Sequence, residues 1–455
     1  MSEFLSILSA NLRRWAALAA VLALISAPMA RAADSDAKKA DATPQVSEAV
    51  STALQKVNQL ITAENWEAAL AAANDVLKTT KPGTYDWTLT QLHIAQIHLS
   101  RNKKDKHDYA DAIPALEAVI KSGFWPKDRV TEWKYVLAQL CAQEDKIDQA
   151  EQYLREYLSE TNAPTSDAYS FYCTLLISRA QKNPDKVDKA LLQTALEETR
   201  KGLRIGAKPN DTLYYLQAAC YQGLEKWDDA AEVLELLLKK NPRNKAYWSQ
   251  LFAMYVTSGD ELRAALTIER AHQYDAMNTP KENIALAQLY HNMKQFDRAI
   301  EILEKGLADG SIEPSKPHWE MLGYAYQQIH QDFKAIQTFI RADKTSDNGY
   351  FLGLVGNAYY ALGKNADALK YFEMALKRGV ENTGQISLFA AHLAFELKEY
   401  DRAADLLKIT QKNIADDTQR KNYEGLREVV DTVIRQQQEE KNAAKKNQPG
   451  AGAPH

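Results

Sequence analysis

Small and apolar residues return along this chain in one short pattern: an aromatic, apolar or small polar residue, two mostly polar residues, then alanine. Trp66 to Ala69, Ile147 to Ala150, Trp227 to Ala230, Phe296 to Ala299 and Tyr400 to Ala403 are the clearest copies. Weaker copies end at Ala112, Ala190, Ala264, Ala335 and Ala368. Successive alanines stand 43, 38, 40, 40, 34, 35, 36, 33 and 35 residues apart, so the later part keeps a period near 34 and the earlier part is stretched. Insertions such as Arg101 to Asp108, and a lengthened pair around Asn183 to Pro209, account for the stretching. Gly259-Asp260, Gly363-Lys364 and Asn241-Pro242 are turn signals between helices. The pattern predicts an all-α chain of about ten helix–turn–helix units between residues 46 and 410, stretched over 46–209 and regular over 210–410.

The units carry further matching positions. Trp319-x-x-Leu322-Gly323-x-x-Tyr326 precedes Ala335, with Phe339 and Ala342 following. Val355-Gly356-x-x-Tyr359 precedes Ala368, Phe372 and Ala375. Tyr214, Ala218, Tyr221, Ala230 and Pro242, and then Trp248, Leu251, Tyr255, Ala264 and Ala271, repeat the theme. On these residues the chain resembles the tetratricopeptide repeat family, which implies a right-handed superhelical solenoid. Gly323, Gly356, Ala218 and Ala287 are expected where two helices cross, because only a small side chain lets them approach. Tyr221, Tyr255, Tyr290, Tyr326 and Tyr359 follow three residues later on the same face. A single pair cannot bury its apolar surface alone and must stack on its neighbours.

The ends read differently. Arg13 and Arg14 precede the uncharged apolar run Trp15 to Ile25, Pro28 breaks it, and Ala30-Arg31-Ala32 is a small-x-small cleavage site. This predicts a signal peptide over 1–32 and a mature chain beginning near Ala33 in the periplasm. The run is shorter than the roughly 20 residues of a membrane span, so no direct span is expected after cleavage. Residues 33–45 read as a flexible lead-in, 411–444 as a capping helix with Leu426, Val429, Val430 and Val433 apolar, and 445–455 as a disordered tail.

Composition narrows the chemistry. The net charge of −4, or −6 without residues 1–32, and the lack of a basic stripe argue against nucleic acid as a partner. No metalloprotease, phosphate-loop or nucleophile-elbow motif is present. His93 and His98, five apart, do not share a helical face as metal ligands would. Gly349, Gly353 and Gly356 follow no strand pattern, so they read as packing glycines. Glu232 and Glu235 lie among lysines on a solvated face. Cys141, Cys173 and Cys220 have no pairing motif and read as unpaired packing residues. The expectation is a non-enzymatic protein with no cofactor and no metal.

The functional candidates come from helical phase. Positions eleven and eight residues before each alanine form a second stripe on the first helices, facing the concave side of a superhelix. They are Gln288 and His291, Tyr324 and Gln327, Asn357 and Tyr360, then His392 and Phe395. Aromatic bodies with polar tips suit a protein-binding groove. The same rings could instead pack between neighbouring first helices, and the pattern leaves both open. The Lys/Asn/Arg set with which some family members clamp a terminal carboxylate is absent, apart from Asn357.

A narrower resemblance covers Tyr247 to Leu407. Trp248-x-x-Leu251-x-x-x-Tyr255-x-x-x-Gly259-Asp260, Leu286-Ala287-Gln288-Leu289-Tyr290 and Leu303-Glu304-Lys305-Gly306 are similar to exported bacterial repeat proteins described as components of the TonB energy-transduction system. That resemblance implies TonB-complex or outer-membrane proteins as partners. An envelope-biogenesis factor and an enzyme with an unrecognised site are the alternative readings.

Overall fold

The computed structural model describes residues 45–101, 109–183, 185–205 and 210–446. The predicted signal peptide, most of the lead-in and nearly all of the tail lie outside these residues. Among the described residues there are 21 helices and no strand. The chain is all-α, a solenoid of ten helix pairs followed by one terminal helix. It divides into two compact units, Met1–Pro242 and Arg243–His455.

In the first unit the pairs are α1 (Glu48–Thr62) with α2 (Trp66–Thr79), α3 (Tyr85–Arg101) with α4 (Ala112–Lys121), and α5 (Lys127–Gln143) with α6 (Ile147–Glu160). They continue as α7 (Ser166–Ala180) with α8 (Lys189–Leu203), and α9 (Asp211–Gly223) with α10 (Trp227–Lys240). The second unit holds α11 (Lys245–Ser258) with α12 (Glu261–His272), α13 (Pro280–Asn292) with α14 (Phe296–Asp309), and α15 (Lys316–Gln328) with α16 (Asp332–Asp343). It ends with α17 (Tyr350–Ala361) and α18 (Asn365–Arg378), α19 (Thr383–Glu396) and α20 (Tyr400–Gln411), and the 30-residue α21 (Asp417–Lys446). Within each unit every helix packs on the next in sequence, and in the first unit α1 also touches α3 and α7 touches α9. Helix α21 lays Tyr423 and Val430 on the last pair, alongside Leu426 and Ile434.

The repeating alanines are the fixed points of this stacking. Ala69, Ala150, Ala230, Ala264, Ala299, Ala335, Ala368 and Ala403 are fully buried, each at the fourth residue of its helix. The fourth pair departs from the expected pattern. Asp188 caps α8 by accepting the Leu191 N–H, so the helix starts two residues later than the alanine phase requires. Ala190 is therefore exposed, and Leu192 takes the buried fourth position.

Close crossing explains two of the glycines. A Cβ on Gly323 would stand 2.1 Å from the Phe339 ring, and one on Gly356 would stand 2.7 Å from Phe372. Either is well inside van der Waals contact. The tyrosines that follow tie pairs together: the Tyr290 hydroxyl donates to Glu269 at 2.7 Å, and Tyr326 donates likewise to Glu304. Burial, reinforced by the carboxylate, pushes the Tyr290 phenol up to about 12.

A further regularity joins the turn signals at Gly259 and Gly363 to six other positions. Five residues before each of those eight buried alanines the backbone is left-handed, at Glu64, Asp145, Glu225, Gly259, Lys294, His330, Gly363 and Lys398, with φ between 56° and 78°. The next residue donates its N–H to the carbonyl five back, as Gln295 to Tyr290 at 2.8 Å and Gln331 to Tyr326 at 2.9 Å. This closes the end of each first helix. Six of the eight positions are not glycine, and each of those accepts a left-handed strain of about 1–2 kcal/mol.

Candidate functional site

The second unit presents one side of its first helices to solvent. Leu286, Ala287, Leu322, Gly323, Val355, Gly356, Ala391 and Ala394 turn inwards, which leaves part of each helix's circumference outside. The four candidates eleven positions before an alanine, Gln288, Tyr324, Asn357 and His392, are all exposed. Of the four at eight positions before, Tyr360 is exposed while His291, Gln327 and Phe395 are half-buried.

Ring contacts separate the two sets further. His291 meets Phe296 edge-on at 5.3 Å and Phe395 meets Tyr400 at 5.5 Å, each across the turn of its own pair. Those two rings are largely spent on closing the pair. Tyr324 touches Phe339 at 5.9 Å yet keeps 39% of its surface exposed, and Tyr360 meets Phe389 at 4.7 Å with 43% exposed. Each is braced by one ring neighbour and still partly open to solvent. His392 Nδ1 lies 3.4 Å from Glu396, one turn along the same helix.

The structure also brings in residues that the phase argument missed. Tyr350 sits on the N-terminal side of Asn357 along the same stripe, and Lys316 lies 3.6 Å above its ring. Burial, together with the Glu320 carboxylate and the Tyr324 hydroxyl, raises the Tyr350 phenol above its usual range. Between α17 and α19 lies a cleft of about 300 Å³. Phe372 forms its floor, Leu354, Ile386 and Phe389 its walls, and Asn357, Asn382 and Gln385 its exposed rim. Carrying the 3.6-residue period one and two turns back from Asn357 and His392 would have found Leu354, Tyr350, Phe389 and Gln385.

Two other clefts open beside the second helices. The larger, about 660 Å³, lies among α12, α13 and α14 and is lined by both signs of charge, Glu269, Arg298, Glu301, Lys305 and Asp309 among them. The smaller, between α18 and α20, contains Arg402, which is paired with Glu373 and Glu399. Their charges largely answer one another. Glu232 is exposed and Glu235 half-buried, and neither lines these three clefts. All three cysteines are free and buried, and burial raises each thiol, Cys141 to about 11 and Cys220 to about 12. Such thiols are poor nucleophiles. Among the described residues no three metal-ligating side chains cluster, and no helix is long and apolar enough to cross a membrane.

Family models for the tetratricopeptide repeat match residues 99–167, 283–308 and 356–417. These segments, about a third of the chain, resemble tetratricopeptide repeats in sequence. They fall in both units and include the C-terminal half of α17 and all of α18, α19 and α20, with part of the cleft. No curated protein matches the chain. Among solved structures it is similar to a tetratricopeptide repeat protein from Parabacteroides merdae ATCC 43184, at 16% identity over 62% of this chain and 98% of that one, with a TM-score of 0.31. It is also similar to MamA, at 19% identity over 35% of this chain and 93% of that one, TM-score 0.29. A third likeness is to the APC/C hetero-tetramer Cut9–Hcn1, at 12% identity over 85% and 96%, TM-score 0.27. Tetratricopeptide repeats serve as protein-interaction scaffolds, and the stripe of the second unit holds two of the exposed aromatic residues, Tyr324 and Tyr360.

Proposed function

We propose that this chain is a non-enzymatic scaffold of the bacterial periplasm that holds a segment of a partner protein along the first helices of its second unit. One observation carries the reading: Tyr324, Asn357 and Tyr360 remain exposed on one stripe, beside a cleft with an apolar floor and an amide rim. Rigid rings that stay partly exposed supply contact area at little entropic cost. The periplasmic location rests on Arg13, Arg14, the run Trp15 to Ile25 and Ala30-Arg31-Ala32. The Tyr247 to Leu407 resemblance favours TonB-complex or outer-membrane proteins as the partner.

The test uses purified mature chain and the purified periplasmic part of TonB in a titration. Binding is expected, and replacing Tyr324 and Tyr360 together by Ala should weaken it at least tenfold, or about 1.4 kcal/mol, with little change in melting temperature. Normal binding by a folded double variant would sink the groove reading. Failure of the wild-type chain to bind TonB would remove that partner.

A further inference from the structure

Gly353 behaves unlike the glycines on either side of it. A Cβ on Gly349 would stand 2.3 Å from the Ala375 carbonyl oxygen, and one on Gly356 would strike Phe372. A Cβ on Gly353 would meet a single atom within 4 Å, Ile386 Cδ1 at 3.4 Å. No crossing requires glycine at this point of α17, where it costs helix stability. Its missing side chain is instead part of the cleft between α17 and α19.

The surroundings define what fits there. Phe389 is held edge-on between Tyr360 at 4.7 Å and Phe372 at 5.4 Å, so the wall is rigid and aromatic. No lining residue is charged. A carboxylate or ammonium entering the cleft would lose water and find no counter-charge. The exposed side chains of Asn357, Asn382 and Gln385 make no hydrogen bond to another described residue, leaving amide donors and acceptors at the mouth. An extended polypeptide offers the matching backbone groups.

Building on the groove reading above, we propose that Gly353 opens a specificity pocket for one bulky uncharged apolar side chain of an extended partner segment. Asn357, Asn382 and Gln385 pair with the backbone on either side of that residue. The partner is therefore a protein segment with an aliphatic or aromatic anchor and no charge at the anchoring position.

A displayed library of random dodecapeptides, selected on the full chain, supplies the probes, and the enriched peptides are then synthesised and titrated by fluorescence anisotropy. They should share one large apolar residue whose replacement by Ala weakens binding tenfold or more. Gly353→Leu, which fills the cleft, should cause a similar loss with an unchanged or higher melting temperature. If that variant melts early, Gln385→Trp blocks the mouth from the exposed rim of the facing helix and should give the same loss. Enriched peptides that need a charged residue at the anchor overturn the pocket, as does a library yielding no peptide sensitive to these variants. Peptides released by the Tyr324 and Tyr360 double variant but not by Gly353→Leu would leave the groove standing and remove the pocket. Peptides indifferent to both would remove both.

Discussion

Helices α7 and α15 are both first helices of a pair, yet they use their circumference differently. In α7, 11 of 15 residues are buried, with Phe171, Tyr172 and Cys173 in succession among them. In α15 only Leu322, Gly323, Ala325 and Tyr326 of its 13 residues are buried. The cause is local packing: α7 touches α6, α8 and also α9, the first helix of the following pair, whereas α15 lies principally against α14 and α16. A helix pair must bury two sides of its first helix to stack at all. The third side can be closed by the neighbouring first helix or left for a guest. Part of the first unit closes it, whereas α15 leaves much of it open.

Truncating one ring from each helix gives the largest contrast. Phe171→Ala, at a site 1% exposed, should cost roughly 3–5 kcal/mol, whereas Tyr324→Ala, with its ring half free, should cost about 1 kcal/mol or less. Denaturant titrations followed by circular dichroism would show the difference. Equal losses would mean that the open stripe of the second unit is core after all.

Within the open unit, two glycines of α17 sharpen the same distinction. Gly356→Ala should destabilise by about 1–3 kcal/mol through overpacking against Phe372. Gly353→Ala, whose new methyl meets only Ile386, should stabilise by about 0.5–1 kcal/mol. Thermal melts of both would check it, and a loss at Gly353 would mark that glycine as a packing residue like its neighbour.

The smallest effect belongs to His93 of α3, in the first unit. Burial pushes its imidazole below the ordinary 6.5, against the opposing pull of the Leu89 carbonyl 2.8 Å from Nδ1. The unfolded chain therefore takes up a proton first as the pH falls. Its contribution is fully present above pH 6.5 and is lost as the pH drops through the lower folded value. Melting curves between pH 7.5 and 5 should show a small loss in the wild-type chain that His93→Gln reduces.

Period and fold class were legible because alanine at a helix crossing is a steric demand, and Gly323 and Gly356 answer the same demand. The fourth pair was misplaced by two residues because Asp188, not the run around Ala190, starts its helix. Two of the left-handed turns were legible as the turn signals at Gly259 and Gly363; the other six were invisible because they carry Glu, Asp, Lys or His, and no side chain announces a positive φ there. At the candidate site, phase correctly exposed Gln288, Tyr324, Asn357 and His392. It could not foresee that His291 and Phe395 lean on Phe296 and Tyr400, because that depends on the aromatic that opens the following helix. Gly353 was grouped with Gly349 and Gly356 because the sequence shows a glycine without showing what stands opposite it.

The eight left-handed turns also make this chain modular in a way that editing could exploit. Their joint is fixed by a torsion angle and a backbone hydrogen bond, and residues as different as Gly, Glu, Asp, Lys and His occupy it. Lys294, His330, Gly363 and Lys398 are consecutive joints of the same geometry, 36, 33 and 35 residues apart. A segment spliced from one joint to the next carries one second helix and the following first helix in phase. Whole units can thus be deleted, duplicated or exchanged at these points while every remaining hairpin keeps its own closing turn.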